Sequence, residues 1–128
     1  MITKFIGPNH WLSDYYPCSV YVDGTEFKSV RHALEASKFP VVNRHGFTYG
    51  SATRARRLSQ HLTGVHQVPI LSGWDERKVL KNLLEQKFST KTLQDALILT
   101  TGQHLHDANC HLNGVLLMEI RQERHWVL

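Results

Sequence analysis

Three charged side chains recur about once per helical turn in residues 29–39, which read Ser-Val-Arg-His-Ala-Leu-Glu-Ala-Ser-Lys-Phe. Arg31 and Glu35 are four residues apart, so in a helix they share a face and can pair. A carboxylate such as Glu35 can activate water or stabilise a cationic centre, whereas an arginine cannot act as a base. The segment therefore predicts either chemistry at Glu35 or an anion site at Arg31 and Lys38.

Other candidate groups lie elsewhere in the chain. Asp107 is a second candidate carboxylate, and His32 and His106 are candidate proton carriers. His106 and His111 could also line a pocket, although surface histidines are the commoner outcome. No Cys/His pairing has zinc-finger spacing and no His-Glu-x-x-His motif occurs, so we expect no metal site.

The charge balance favours anionic partners. The chain has a formal net charge of +4 and a pI near 9.3, with basic residues clustered at 54–57, 77–81 and 121–124. Such clusters suit a nucleotide, a nucleic acid or a phosphorylated protein. Because acidic residues are interspersed, the alternative is a solvated helix face with no partner.

Length and composition predict one soluble domain spanning residues 1–128. No apolar run is long enough to span a membrane, and no signal peptide is evident, so we expect a cytoplasmic protein without membrane contact. Cys18 and Cys110 do not form a disulfide framework and are expected to be reduced. The sequence does not predict an oligomeric state.

Turn and capping signals predict an α+β fold, mainly helical, with a small N-terminal antiparallel sheet. Asp23-Gly24 separates two short strands, and residues 11–17 are expected to form an irregular loop. The capping residues and apolar spacing predict five helices: Ser29 to about Phe39, Ser51–His61, one beginning at Asp75, one capped by Thr90 and ended near Gly102, and about Gly114 to Arg124.

Several of these segments resemble the NADAR family of N-glycosidases in the same order along the chain. Residues 29–39 are similar to its Ser-Val-Glu-His-x-x-Gln-Ala-x-Lys-Phe, and residues 11–17 to its Phe-Leu-Ser-Asn-Phe-Tyr-Pro. Residues 97–102 resemble Leu-Leu-x-Thr-Gly, and residues 114–121 resemble Gly-x-Leu-Leu-Met-Glu-Ile-Arg. The resemblance implies a NADAR fold over nearly the whole chain.

The resemblance also implies a chemistry that this chain departs from. Family members hydrolyse N-glycosidic bonds of phosphoribosyl riboflavin intermediates or of ADP-ribosylated guanine, without a cofactor, and their catalytic glutamate falls at Arg31. Glu35 stands at the family's glutamine. Residues 105–109 resemble the family segment that precedes its Trp-Gly pocket loop. Residues 110–114, which lead into the last helix, follow at once, so that loop is missing.

Three hypotheses follow. The first is a non-catalytic NADAR-like protein that keeps a pocket for a nucleotide or ADP-ribose-like ligand, or binds nucleic acid or a host protein through its basic faces, in a phage-like context. The second is an active N-glycosidase that uses Glu35 or Asp107 with His32 or His106. The third is an oligomeric interaction module with a closed pocket, marked by an exposed aromatic patch from Tyr15, Tyr16 or Trp126. The expected ligand-binding residues are Trp11, Asp14, Tyr15, Arg31, Lys38, His106 and His111.

Overall fold

The computed structural model describes residues 1–107 and 110–125. In that part of the chain a short antiparallel hairpin precedes five α-helices: β1 (Val20–Val22), β2 (Thr25–Phe27), α1 (Val30–Ser37), α2 (Ala52–Gly64), α3 (Glu76–Lys87), α4 (Lys91–Leu99) and α5 (His111–His125). The mainly helical α+β fold with a small N-terminal sheet is thus confirmed. None of the described helices is both long and apolar enough to cross a bilayer.

The hairpin forms as the sequence predicts. β1 and β2 pair antiparallel with Val20 opposite Phe27. The two turn residues, Asp23 and Gly24, have φ values of 49° and 81°. Such left-handed conformations match the twist of a two-residue hairpin, and aspartate and glycine tolerate them best.

Side-chain caps fix the start of three helices. Ser29, Ser51 and Asp75 each accept a hydrogen bond from the backbone N–H three residues further on. These bonds satisfy amides that otherwise have no partner in the first turn. Thr90 precedes α4 as predicted, but its side chain makes no such bond. Of the two predicted caps, Ser29 is confirmed and Thr90 is not, while Ser51 and Asp75 cap helices whose starts the sequence predicts.

Two segments differ from expectation. The aromatic segment expected to be irregular from Trp11 is helical at its start, because a 3₁₀ helix spans Gly7–Leu12 with a proline in its first turn. Proline suits that place, since the first turn needs no N–H donor there. α5 begins at His111 rather than near Gly114. Gly114, the predicted first residue, lies inside the helix where another segment approaches closely.

Helix α1 occupies the centre of the fold. Seven of its eight residues are buried, all except Arg31. It packs against α2, α3 and both strands, while α5 packs against α3 and α4. Polar groups on α1 must therefore find partners within the protein, because little water reaches them.

Candidate functional site

Four charged side chains around α1 form one continuous network. Arg31 Nε lies 2.5 Å from Asp14 Oδ2, and Arg31 Nη1 lies 2.8 Å from Glu35 Oε1. Glu35 Oε2 in turn accepts from Lys38 Nζ at 2.9 Å. Asp14, Arg31, Glu35 and Lys38 are hereafter called the ion-pair network. The expected pairing of Arg31 with Glu35 is present, and Asp14 extends it.

Burial makes the charges of this network interdependent. The side chains of Asp14 and Glu35 are 1% and 4% exposed. Burial tends to raise the pKa of Glu35, but hydrogen bonds from Lys38, Ser59 and Arg31 outweigh it and lower that pKa. Burial likewise opposes the charge on Arg31, yet Asp14 and Glu35 raise its pKa. Glu35 is therefore an ionised, fully paired carboxylate rather than a proton donor.

Asp14 meets a second carboxylate from the other end of the chain. Burial raises the pKa of Asp14, Arg31 opposes that shift, and the charge of Asp107 adds to it. Asp107 Oδ2 accepts a hydrogen bond at 3.0 Å from Nδ2 of Asn113, which is fully buried. The structure thus brings Asp107, the second candidate carboxylate, to the ion-pair network.

His32 points away from this network. Its Nε2 lies 2.9 Å from the carbonyl oxygen of Gly50, and its Nδ1 lies 2.7 Å from Ser29 Oγ. Because a carbonyl only accepts, Nε2 carries the proton and donates to Gly50. Burial lowers the pKa of His32, so the ring is neutral near pH 7. These bonds tie α1 to the loop before α2, and they give His32 a structural role.

The aromatic rings of Tyr15 and Trp74 flank the cationic ends of the network. The Arg31 guanidinium lies 5.5 Å from the ring centroid of Tyr15, and Lys38 Nζ lies 5.5 Å from that of Trp74. Trp74 Nε1 also donates to Ser37 Oγ at 2.9 Å. Both cations are partly exposed, with side-chain exposures of 13% and 21%. They are the members of the network that a ligand in solution can reach.

The remaining predicted site residues lie elsewhere or at the edge. Trp11 is half-buried and packs edge-on against Phe88 and the core. The rings of His106 and His111 are 5.9 Å apart, and His111 is exposed. Trp126, proposed as part of an aromatic patch, lies outside the described residues. Within residues 1–107 and 110–125, no three His, Cys, Asp or Glu side chains converge as metal ligands.

Most of the predicted basic clusters are engaged within the protein. Arg77 and Lys81 on α3 pair with Glu119, and Lys81 also pairs with Glu123. Arg54 donates to the carbonyl of Gly46 and stacks on Tyr49, 4.3 Å from its ring centroid. Arg121 donates to carbonyls at the end of α4. On the α3–α5 face, two of the basic residues are thus paired with carboxylates of α5.

Comparison with solved structures settles the fold. The NMR structure of the E. coli protein YbiA matches this chain with a TM-score of 0.78 and 20% sequence identity, covering 97% of this chain and 84% of YbiA. The chain has a YbiA-like fold. The fold expected from the NADAR resemblance is thereby confirmed. No family model and no curated protein matches the sequence.

Seen on the YbiA-like fold, the departures from the NADAR motifs are in mutual contact. Asp14 stands at a motif asparagine, Arg31 at the glutamate and Glu35 at the glutamine. Arg31 bonds to both of the other two. The two carboxylates therefore neutralise the arginine that lies between them.

Sequence reasoning missed three polar residues of this region. Ser59 donates to Glu35, Asn113 bonds Asp107, and Lys87 Nζ donates to the carbonyl of Ser13 at 2.7 Å. Lys87 is 2% exposed, and burial lowers its pKa to about 8. A signal existed for Lys87, because it falls on the inward face of the α3 pattern. Nothing local marked Ser59 or Asn113.

Gly114 permits the close approach that places Asp107, and its replacement should destabilise the fold. A Cβ at this position would lie 2.7 Å from the Leu105 carbonyl oxygen and 3.2 Å from the Asp107 nitrogen. Because backbone must move, we expect Gly114→Ala to lower the free energy of unfolding in urea by about 1–3 kcal/mol. Gly64→Ala, which meets open space at the end of α2, is the control and should not destabilise. Equal losses in both variants would contradict this role of Gly114.

Proposed function

We propose that this chain is a non-catalytic NADAR-like protein that binds a nucleotide or ADP-ribose-like ligand beside the ion-pair network. The observation that carries the proposal is Arg31, which stands at the motif's catalytic position and is bound to both Asp14 and Glu35. A guanidinium held by two carboxylates cannot stabilise an oxocarbenium-like centre, because both are positively charged. It can still orient an anion.

Glu35 is a poor replacement for the catalytic carboxylate. Its two oxygens accept from Arg31 and Lys38, which neutralise its charge. If the catalytic carboxylate had moved to another position, we would expect it to lie in a cleft and to have a raised pKa. Glu35 is 3% exposed and its pKa is lowered. This geometry favours ligand binding over an N-glycosidase that acts through Glu35.

The accessible side of the network has the chemistry of a phosphate and base site. Arg31 and Lys38 are partly exposed cations, and the rings of Tyr15 and Trp74 lie against them. Guanidinium and ammonium groups bind phosphate oxygens by charge-assisted hydrogen bonds, and aromatic faces stack on bases. A ligand with a diphosphate and a base or ribose uses both features.

The experiment combines binding and turnover in the same samples. Purified protein is mixed with ADP-ribose and, separately, with DNA carrying ADP-ribosylated guanine, and thermal shift and base release are recorded. We expect a thermal shift with ADP-ribose and no base release. Lys38→Gln should weaken ADP-ribose binding by about tenfold, because one charge-assisted contact is lost. Arg77→Gln, in an exposed pair on the α3–α5 face, is the control and should bind as the wild type does.

Two results would contradict the proposed function. Base release by the wild type that disappears in Glu35→Gln would overturn the non-catalytic proposal and assign the carboxylate. If ADP-ribose causes no thermal shift, the proposed binding of an ADP-ribose-like ligand is wrong. Interaction with a macromolecule through exposed basic residues such as Arg56 and Arg57 on α2 would then become the leading alternative.

A further inference from the structure

A surface cavity of about 400 Å³ lies on a different side of α1 from the ion-pair network. It is bounded by the hairpin, the end of α1, Arg44 and the middle of α3. Ser37 contributes from α1, and it follows Glu35 by two residues, which places it about 200° around the helix. Ligand pockets commonly have volumes of roughly 300–1,000 Å³, so this one suits a small molecule.

A buried arginine with an exposed partner forms one wall of the cavity. The Arg44 side chain is 10% exposed, and its Nε donates to the Phe39 carbonyl at 2.9 Å. Its Nη1 lies 2.7 Å from Asp23 Oδ2, yet the Asp23 side chain is 70% exposed. Arg44 is thus fixed by the backbone, whereas Asp23 reaches it from solvent.

The same pair also borders a second, smaller cavity. A space of about 200 Å³ is lined by Asp23 and Arg44 together with His45 and Thr48. The Asp23 carboxylate therefore lies at the boundary between two cavities. If it turns outward, it returns to water at little cost, and the Arg44 guanidinium is left facing both spaces.

The rest of the larger cavity supplies a second cation and an apolar floor. Lys78 and Asn82 from α3 line it with Arg44, so two cations face a single carboxylate. Val22, Val79 and Leu83 provide apolar surface. The combination fits a ligand with a dianionic head and an apolar body better than it fits a neutral molecule.

We propose that this cavity binds a small phosphate monoester with an apolar body, whose phosphate displaces Asp23 from Arg44. The phosphate accepts hydrogen bonds from Arg44 and Lys78. When no ligand is bound, the Asp23 carboxylate takes the place of the phosphate at Arg44. The site is separate from the ion-pair network, so this inference stands whether or not the proposed function holds.

The test uses calorimetric titration of the full chain at low salt with phenyl phosphate, benzoate and phenol. We expect phenyl phosphate to bind at least ~10-fold more tightly than the other two, because the head must be a dianion that replaces Asp23. Asp23→Asn should tighten phenyl phosphate binding severalfold by removing the competing charge. Asparagine accepts the left-handed conformation of this turn, so the hairpin is kept.

Two further variants locate the site. Lys78→Gln, an exposed position, should weaken phenyl phosphate binding by about tenfold. Lys38→Gln, which weakens only the site proposed beside the ion-pair network, should leave the binding that depends on Lys78 unchanged. The proposal is overturned if phenyl phosphate does not bind, if benzoate binds equally well, or if Asp23→Asn and Lys78→Gln have no effect. It is also overturned if Lys38→Gln abolishes binding.

Discussion

Replacing Arg31 with methionine is expected to lower the free energy of unfolding by about 3–5 kcal/mol at pH 7. The guanidinium compensates Asp14 and Glu35, whose side chains are almost completely buried. Methionine keeps much of the volume but leaves two carboxylates facing each other without their shared cation. Removing one partner of a buried ion pair costs far more than removing one of an exposed pair, because water cannot replace the lost contact.

Urea denaturation measures this loss directly, and Arg77→Met is the matched control. Arg77 pairs with Glu119, but its side chain is 52% exposed, so the loss there should be much smaller. The difference in the free energy of unfolding between wild type and Arg31→Met should also become smaller as the pH falls towards 4. In the variant the uncompensated carboxylates take up protons more readily, which favours its folded state in acid. Equal losses in the two variants at pH 7 would show that the ion-pair network contributes little to stability.

Lys87 should make the protein more stable as the pH rises from 7 to 10. Burial lowers its pKa to about 8 in the folded state, whereas an unfolded lysine has a pKa near 10.5. Between these values the unfolded chain binds more protons, so raising the pH favours folding. We expect the free energy of unfolding of the wild type, relative to Lys87→Met, to increase by about 2 kcal/mol over this range.

The difference between wild type and variant reports Lys87 together with its effect on Cys18. Burial raises the pKa of Cys18 and of Cys110, and those thiols reduce stability as the pH rises. Cys110 does so in both proteins, whereas Cys18 does so more in the variant, because the charge of Lys87 lowers its pKa. The control is Lys81→Met, because hydrogen bonds from Lys81 to Glu123 and Glu119 raise its pKa above the unfolded value. The difference in the free energy of unfolding between wild type and Lys81→Met should stay constant up to pH 10. A flat difference for Lys87→Met as well would mean that Lys87 is hydrated.

The local elements of the fold could be predicted because their causes lie within a few residues. The Asp23-Gly24 turn and the caps at Ser29, Ser51 and Asp75 each depend on a side chain or a backbone preference close by. The predicted start of α5 is three residues late, because the sequence does not show what requires Gly114. Its reason for being there is the Leu105 carbonyl, which only the folded chain brings near.

The candidate site was predictable in part for the same reason. Arg31 and Glu35 are one helical turn apart, so their pairing follows from spacing. Asp14 is seventeen positions before Arg31 in the chain, and Asp107 arrives from beyond α4. The motif comparison marked positions 31 and 35, but only the folded structure shows that Asp14 also pairs with Arg31.

The near-complete burial of α1 also limits how the protein can open. A surface helix can fray or detach while the rest of the domain stays intact, and its amides then exchange with solvent at modest cost. Seven of the eight residues of α1 are buried, and it contacts α2, α3 and the hairpin at once. Its amide hydrogens therefore have no local route to solvent, and their exchange with deuterium reports unfolding of the whole domain.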